Sequence, residues 1–289
     1  MTRKHHIGPS TSRLKWSNAT PLTVSPGEVV SFDLLDSSGA QVTATSKASD
    51  LSEIPISTFD PIFGPVYIEG ANPGDVLEVE VVSLETAGWG FTGIMPNFGL
   101  LAADFPDTLM LKHYHWSNSD KFITFKPGIK IPLRPFLGTP AGNTQGTKLY
   151  LPVKVPGALF SCGDGHAAQG DGEVCGTAIE TPMKATLRFN VRRDMPYVTS
   201  PHYDTRGSVH GKVESDPAVY AVLGIDSDLL EASKKALRSL IAHLTATRDL
   251  TREEAYMLCS IAADLKIAEI VDMPNFAVSA SIPYSIFES

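Results

Sequence analysis

The periodicity of apolar and polar positions changes once along this chain. Up to about residue 200 the pattern is short and alternating. In "VLEVEVVS", Leu77, Val79 and Val81 fall on one side, and Val76, Glu78, Glu80 and Val82 on the other. That is the signature of a strand with one apolar face. Pro-Gly pairs lead into such segments four times, in "SPGEVVSFDLLD", "NPGDVLEVEVVS", "KPGIKIPL" and "VPGALFSC". Pro presets φ at the second turn position and Gly accepts positive φ at the third. The recurrence reads as one turn chemistry used repeatedly, not as a gene-level repeat.

Beyond residue 200 the spacing becomes helical. "DSDLLEASKKALRSLIAHLTATRD" carries Leu229, Leu230, Leu237, Leu240, Ile241 and Leu244 three and four apart, and Asp228 with Glu231 resembles a capping box. A second helix is predicted in "LTREEAYMLCSIAAD", opened by a Thr251–Glu254 capping box with Leu250 and Ala255 as a small staple. "LKIAEIV" and "NFAVSASIP" then return to strand-like alternation on either side of Pro274. The polar stretch 194–216 reads as an excursion or lid. Together these predict a mainly β (α+β) fold, a β-rich region 1–150 packed closely against 151–289, and a C-terminal α/β portion with two helices.

Composition narrows the function. The chain has 289 residues, 43% hydrophobic and 19% charged, which suits an ordinary globular protein of one large domain or two. The net charge of -8 argues against nucleic acid, whose phosphates select Lys and Arg. No apolar run approaches the ~18 residues of a membrane span, and the basic start lacks the apolar stretch of a secretory signal. Three cysteines with no Cys-x-x-Cys predict neither a disulfide framework nor a zinc finger, and make the cytoplasm the expected compartment.

The densest ionisable cluster is "GDGHAAQGDGE", residues 163–173, set between two apolar strand-like flanks. Residues i and i+2 of a strand share a face, so Asp164 and His166 point one way, as do Asp171 and Glu173. A turn at "AAQG" would fold the two pairs together. Such a set can ligate a divalent metal through oxygen and nitrogen, or crowd one carboxylate into a general base. The same residues equally suit turns whose acids cap backbone N–H groups. "KHYHW" puts His113 and His115 at metal-ligand spacing, and "DLKIAEIVD" offers Asp264, Lys266 and Glu269, for which a structural ion pair is the plainer reading.

The wider stretch "LYLPVKVPGALFSCGDGHAAQGDGEVCGTAIETPM" closely resembles the signature region of the acetamidase/formamidase family. "GPVYIEGANPGDVLEVEVVSL", "GWGFTGIMPNFGLL", "IPLRPFLG" and "YMLCSIAADLKIAEIVDMPN" resemble that family's other blocks, in its order. The resemblance implies a jelly-roll-like β-sandwich, a barrel-like β region and a mixed α/β portion. It implies hydrolysis of short amides to carboxylate and ammonia, a divalent metal (zinc first, calcium as the alternative) and a homo-oligomer, dimer or higher. Two positions depart from the family pattern. Gln145 stands where an Asp is expected after Asn143, and Asp60-Pro61 stands where the family shows His-Pro.

An amide is a poor electrophile with a poor leaving group, so its hydrolysis needs an activated nucleophile, an oxyanion stabiliser and an acid for the departing ammonia. His166, Asp164, Asp171 and Glu173 are the candidates for that work. Asp164, His166 and Asp36, the last ending a strand in a family-like block, are the candidate metal ligands. Trp89 and Phe98 would narrow the pocket, with Asn143 and the Gly165 amide as polar contacts. Cys162 is read as packing, although a thiol beside His166 has precedent as a nucleophile. The alternatives kept open are a silent relative that binds a small polar ligand, and a hydrolase of another C–N substrate such as a carbamate.

Overall fold

The computed structural model describes residues 3–13, 21–117, 119–139, 143–208 and 217–287. The alternating segments assemble into two nine-stranded sheets. The first runs, neighbour to neighbour, Lys4–Ile7, Val29–Leu34, Met183–Arg192, Val76–Thr86 and Lys148–Pro152. It continues through His202–Asp204, Val219–Asp226 and Phe276–Pro283 to Asp264–Glu269. The second is centred on Phe160–Ala168, which pairs with Phe136–Thr139, Ile62–Ile68 and Ile179–Glu180. Trp89–Ile94 and Met110–His115 extend it. Both sheets draw strands from each side of residue 150.

The largest core lies between the sheets and is built by the alternation read above. Leu77, Val79 and Val81 bury there with Phe32, Leu187 and Phe189 of the first sheet, against Phe63, Val66, Leu137, Phe160 and Cys162 of the second. The other face of Val76–Thr86 is not simply solvated. Glu78 is buried and is held by Arg192 at 2.7 Å and Lys148 at 3.2 Å, because a carboxylate taken from water must be paired.

The two predicted helices, Leu229–Thr247 and Arg252–Ala262, cover the far end of the first sheet over a second core of Ala232, Ala236, Leu240, Leu244, Val222 and Ala280. Thr251 and Glu254 form the full capping box. At Asp228 only half forms. Its carboxylate accepts the Glu231 N–H at 2.9 Å, while the Glu231 side chain turns outward to Lys234 at 2.6 Å. The 194–216 stretch differs from the lid expected. Its described part supplies the strand His202–Asp204 and the buried side chains Met195, Val198 and His202, so it is anchored in the sheet. Residues 209–216 lie outside the described chain.

The long helix rests directly on the sheet at Gly224. A Cβ there would overlap the Ala232 carbonyl oxygen and the Ala236 nitrogen. Gly224→Ala should therefore cost about 3 kcal/mol by overpacking and lower the thermal midpoint by several degrees. An unchanged midpoint would mean that the helix slides freely over this strand.

Candidate active site

The strand Phe160–Ala168 begins in the main core and emerges at a cluster of ionisable groups. Its extended course is broken at Asp164, whose φ of 59° is left-handed. Asp164 Oδ1 lies 2.8 Å from His166 Nε2. Across the ladder His166 is opposite Glu180, whose Oε2 stands 3.2 Å from the same nitrogen. Glu173 arrives from the following loop, with Oε1 at 3.9 Å. One imidazole nitrogen thus faces three carboxylates. The ring is oriented from behind: Nδ1 is 2.8 Å from Gln169 Oε1. An amide oxygen only accepts, so Nδ1 carries a proton and Nε2 is the atom turned to the acids. Phe136 packs its ring edge-on at 5.0 Å.

Close approach requires glycine here. The strand Phe136–Thr139 passes over the pair at Gly138, where a Cβ would overlap Asp164 Oδ2.

The electrostatics are those of a site short of positive charge. Burial alone would lower the His166 pKa, but Asp164 and Glu180 override it and hold it well above its ordinary value. Burial, with Glu180 and Asp164 beyond the effect of His166, pushes Glu173 up to about 8. Burial raises Glu180 as well. Asp60 and Asp272, both at the surface, lie within electrostatic reach of the cluster. Desolvation by the surrounding walls, then charge repulsion, takes Asp60 to about 7 and Asp272 to about 6. Five carboxylates share one imidazole, and like charges this close cannot all ionise without a counter-charge.

A divalent cation fits these donors. Asp164, His166 and Glu180 each offer a ligand atom, all within 4.8 Å of one another. Glu180 Oε1 accepts the Ala178 N–H at 2.7 Å, whereas its buried Oε2 faces the shared His166 Nε2 at 3.2 Å and has no other partner among the described residues. Asp164 holds the same nitrogen more closely, so Oε2 is poorly compensated for its burial.

The other expected residues fall around this centre or away from it. The Asp171–Glu173 alternation does not form. The strand ends at Ala168, and Gly172, at φ 90°, turns the chain so that Glu173 reaches inward while Asp171 stays exposed. Asp36 is not brought into the ligand cluster. It is buried, accepts the N–H and hydroxyl of Ser38, and braces the turn whose Ser37 carbonyl receives the Asp60 N–H at 2.7 Å. Trp89 is half-buried against Phe91. Phe98 packs over Gly176, just past Glu173 in the same loop. Gly165 makes room for Met183 and Thr181. The backbone of Asn143 pairs with Leu137, next to Gly138.

His113 contacts the Thr43 carbonyl at 2.9 Å and His115 lines a separate hollow with Asp120 and Lys121, so among the described residues the His-x-His spacing joins no metal-ligand cluster. Among the described residues no ion pair joins Asp264 to Lys266. Glu269 instead accepts backbone N–H groups of Val271 and Asp272. The sequence reading missed Glu180, Asp272 and Gln169 as site residues, and saw Asp60 only as a departure from a pattern.

Cys162 is fully buried in the main core, and burial pushes its thiol far above the ordinary range. Cys162→Ala should keep turnover within a few-fold of wild type and cost about 1 kcal/mol of stability. A folded but inactive Cys162→Ala protein would restore the thiol as nucleophile.

The chain is similar in sequence and fold to known proteins. A profile of the Acetamidase/Formamidase family matches residues 10–143 and 141–289. A protein of Schizosaccharomyces pombe named as a formamidase is 25% identical over 95% of this chain and 89% of its own length. A formamidase of Methylophilus methylotrophus is 22% identical over the same shares. The crystal structure of an acetamidase from Bacillus halodurans superposes with a TM-score of 0.83 at 25% identity, covering 98% of each chain.

Proposed function

Because this chain belongs to the acetamidase/formamidase family, we infer that it hydrolyses short linear amides to a carboxylate and ammonia at the cluster around His166. The observation that carries the reading is the convergence of Asp164, Glu173 and Glu180 on one tautomerically fixed imidazole nitrogen, inside the stretch that resembles the family signature.

The residues divide the labour as follows. Gln169 fixes the His166 ring, so that Nε2 always faces the reacting space. Asp164, His166 and Glu180 would hold a divalent cation, with zinc preferred for a mixed nitrogen and carboxylate set. When bound, such an ion supplies Lewis acidity that polarises a carbonyl and acidifies water. Glu173 lies just outside that trio and is the proton carrier. As the carboxylate it would take a proton from attacking water and, then protonated, give it to the departing ammonia; burial and the neighbouring acids raise its pKa, which makes the carboxylate a stronger base for the first transfer. Phe136 covers the His166 ring, and Phe98, packed over Gly176 in the loop that carries Glu173, would narrow the approach and favour small acyl groups. Asp171, exposed on the loop, has no part in the chemistry.

The test is ammonia release over formamide, acetamide, propionamide and a carbamate. Turnover should be highest with the smallest amides. Protein that releases no ammonia from any of them, as purified or after addition of divalent ions, overturns the assignment.

We further propose that the enzyme works in the cytoplasm, as its three cysteines without a Cys-x-x-Cys pattern suggest, and that it is a homo-oligomer. No helix among the described residues is long and apolar enough to cross a membrane. The edge strand Asp264–Glu269 exposes Leu265 and Ile267 beside Tyr256, Met257 and Ile261 of the adjoining helix, a face suited to a second copy. Light scattering that finds only monomer at micromolar concentration would remove that part of the proposal.

A further inference from the structure

Apart from the hollow at His115, the molecule has one of about 390 Å³ that shares no residue with the carboxylate cluster. It opens where the C-terminal end of the long helix meets the strands Lys148–Pro152 and Val219–Asp226. One wall is aromatic. Tyr220 stacks on His243 with ring centroids 3.5 Å apart and planes 6° from parallel, and Tyr150 stacks behind Tyr220 at 6.5 Å. Tyr220 is fixed by the buried His202, whose Nδ1 lies 2.8 Å from its hydroxyl.

The polar groups there are unevenly matched. Arg192 is spent on Glu78 and Asp194, and Arg206 on Asp204. Among the described residues no carboxylate pairs with Arg248, whose guanidinium stacks over the Phe287 ring at 4.0 Å. His243 is nine-tenths buried at the hollow, and its Nδ1 has no hydrogen-bond partner. Burial and the charge of Arg248 take the His243 pKa down to about 4, so the imidazole is neutral at working pH and leaves Arg248 as the local positive charge. A spare guanidinium is a specific receptor for carboxylate or phosphate. Tyr220 is sandwiched between His243 and Tyr150, so this wall presents ring edges that a flat ring can meet edge-on, and the volume is that of a small-molecule site. The amidase chemistry uses none of these residues.

We propose that this hollow is a second ligand site, for a small planar ring bearing a carboxylate or phosphate, with Arg248 holding the anionic group and the Tyr220–His243 wall the ring. The test is calorimetric titration of the full-length protein with 4-hydroxybenzoate, phenyl phosphate, benzyl alcohol and acetate. One or both aromatic anions should saturate with a dissociation constant at or below about 1 mM, and their ranking identifies the anionic group. Benzyl alcohol and acetate should bind at least about tenfold more weakly. Arg248→Gln should lose about tenfold in anion affinity, with Arg248→Lys partly restoring it, and formamide turnover should be unchanged in both. The His166→Gln protein should bind the probes as wild type does, which separates this site from the amidase reading. No saturation by about 10 mM, undiminished binding in Arg248→Gln, or equal affinity for benzyl alcohol would overturn the proposal.

Discussion

His166→Gln protein should release ammonia from formamide at least about a thousandfold more slowly than wild type, because the change removes a ligand and a proton-exchanging group together. Glutamine is close in size and still hydrogen-bonds, but it presents no titratable nitrogen to Asp164, Glu173 and Glu180. His166 is only 2% exposed, so circular dichroism and a thermal melt must accompany the assay. If His166→Gln fails to fold, Glu173→Gln tests the same site from a loop. Its amide cannot carry the proton, so turnover should fall about a hundredfold in a protein that melts normally. Turnover within a few-fold of wild type in both variants would remove the cluster from the mechanism.

Stripping divalent ions with a chelator should lower activity and thermal stability together, and adding Zn²⁺ should restore both. The five acids supply the reason. Without a cation, Glu173 titrates at about 8 and Asp60 at about 7 in the folded protein, well above ordinary carboxyl values. A raised folded-state pKa means that the native state holds protons the unfolded chain has released. The stability from that source is complete below about pH 4.5 and is lost as pH rises towards 8. Chelated protein should therefore melt progressively earlier across that interval, while the loaded protein should show a flatter profile. An ion at a hundredfold excess over its dissociation constant adds about 2.7 kcal/mol. Glu180→Gln should weaken that protection most, since Oε2 is buried and its contact, His166 Nε2, is shared with Asp164. Wild type that is metal-free by elemental analysis, fully active and indifferent to chelator would leave a cation-independent acid/base mechanism through the same side chains.

Much of this architecture is legible in the sequence because local and tertiary demands coincide. Leu77, Val79 and Val81 alternate because one face of their strand meets the core, and Thr251 announces its helix through bonds made within one turn. Asp164 and His166 were visible because they lie two apart in one strand. Glu180 was not, because its place is set by a ladder register: the two-residue strand Ile179–Glu180 lands opposite His166. The available hint was an acid in an otherwise apolar run, "CGTAIETPM". Asp272 comes within reach of the cluster from 106 positions beyond His166, by way of the edge strand at Glu269, which bridges to Gly172. Strand alternation misassigned Asp171 because it assumes extended backbone, and the turn at Gly172 suspends that rule.

Asp60, Asp164 and Glu173 have φ values of 56°, 59° and 48°, a region that glycine occupies without strain and that L-residues enter at a cost. Three acids of the cluster are thus held where neither their backbone nor their mutual repulsion favours them. The catalytic role proposed above would account for their being kept there. In a lineage or library selected for heat resistance alone, glycine should accumulate at these three positions, with thermal tolerance rising as amide turnover disappears. Thermostable descendants of this protein would then be, by default, inactive ones, and only a screen that demands ammonia at every round could hold both properties.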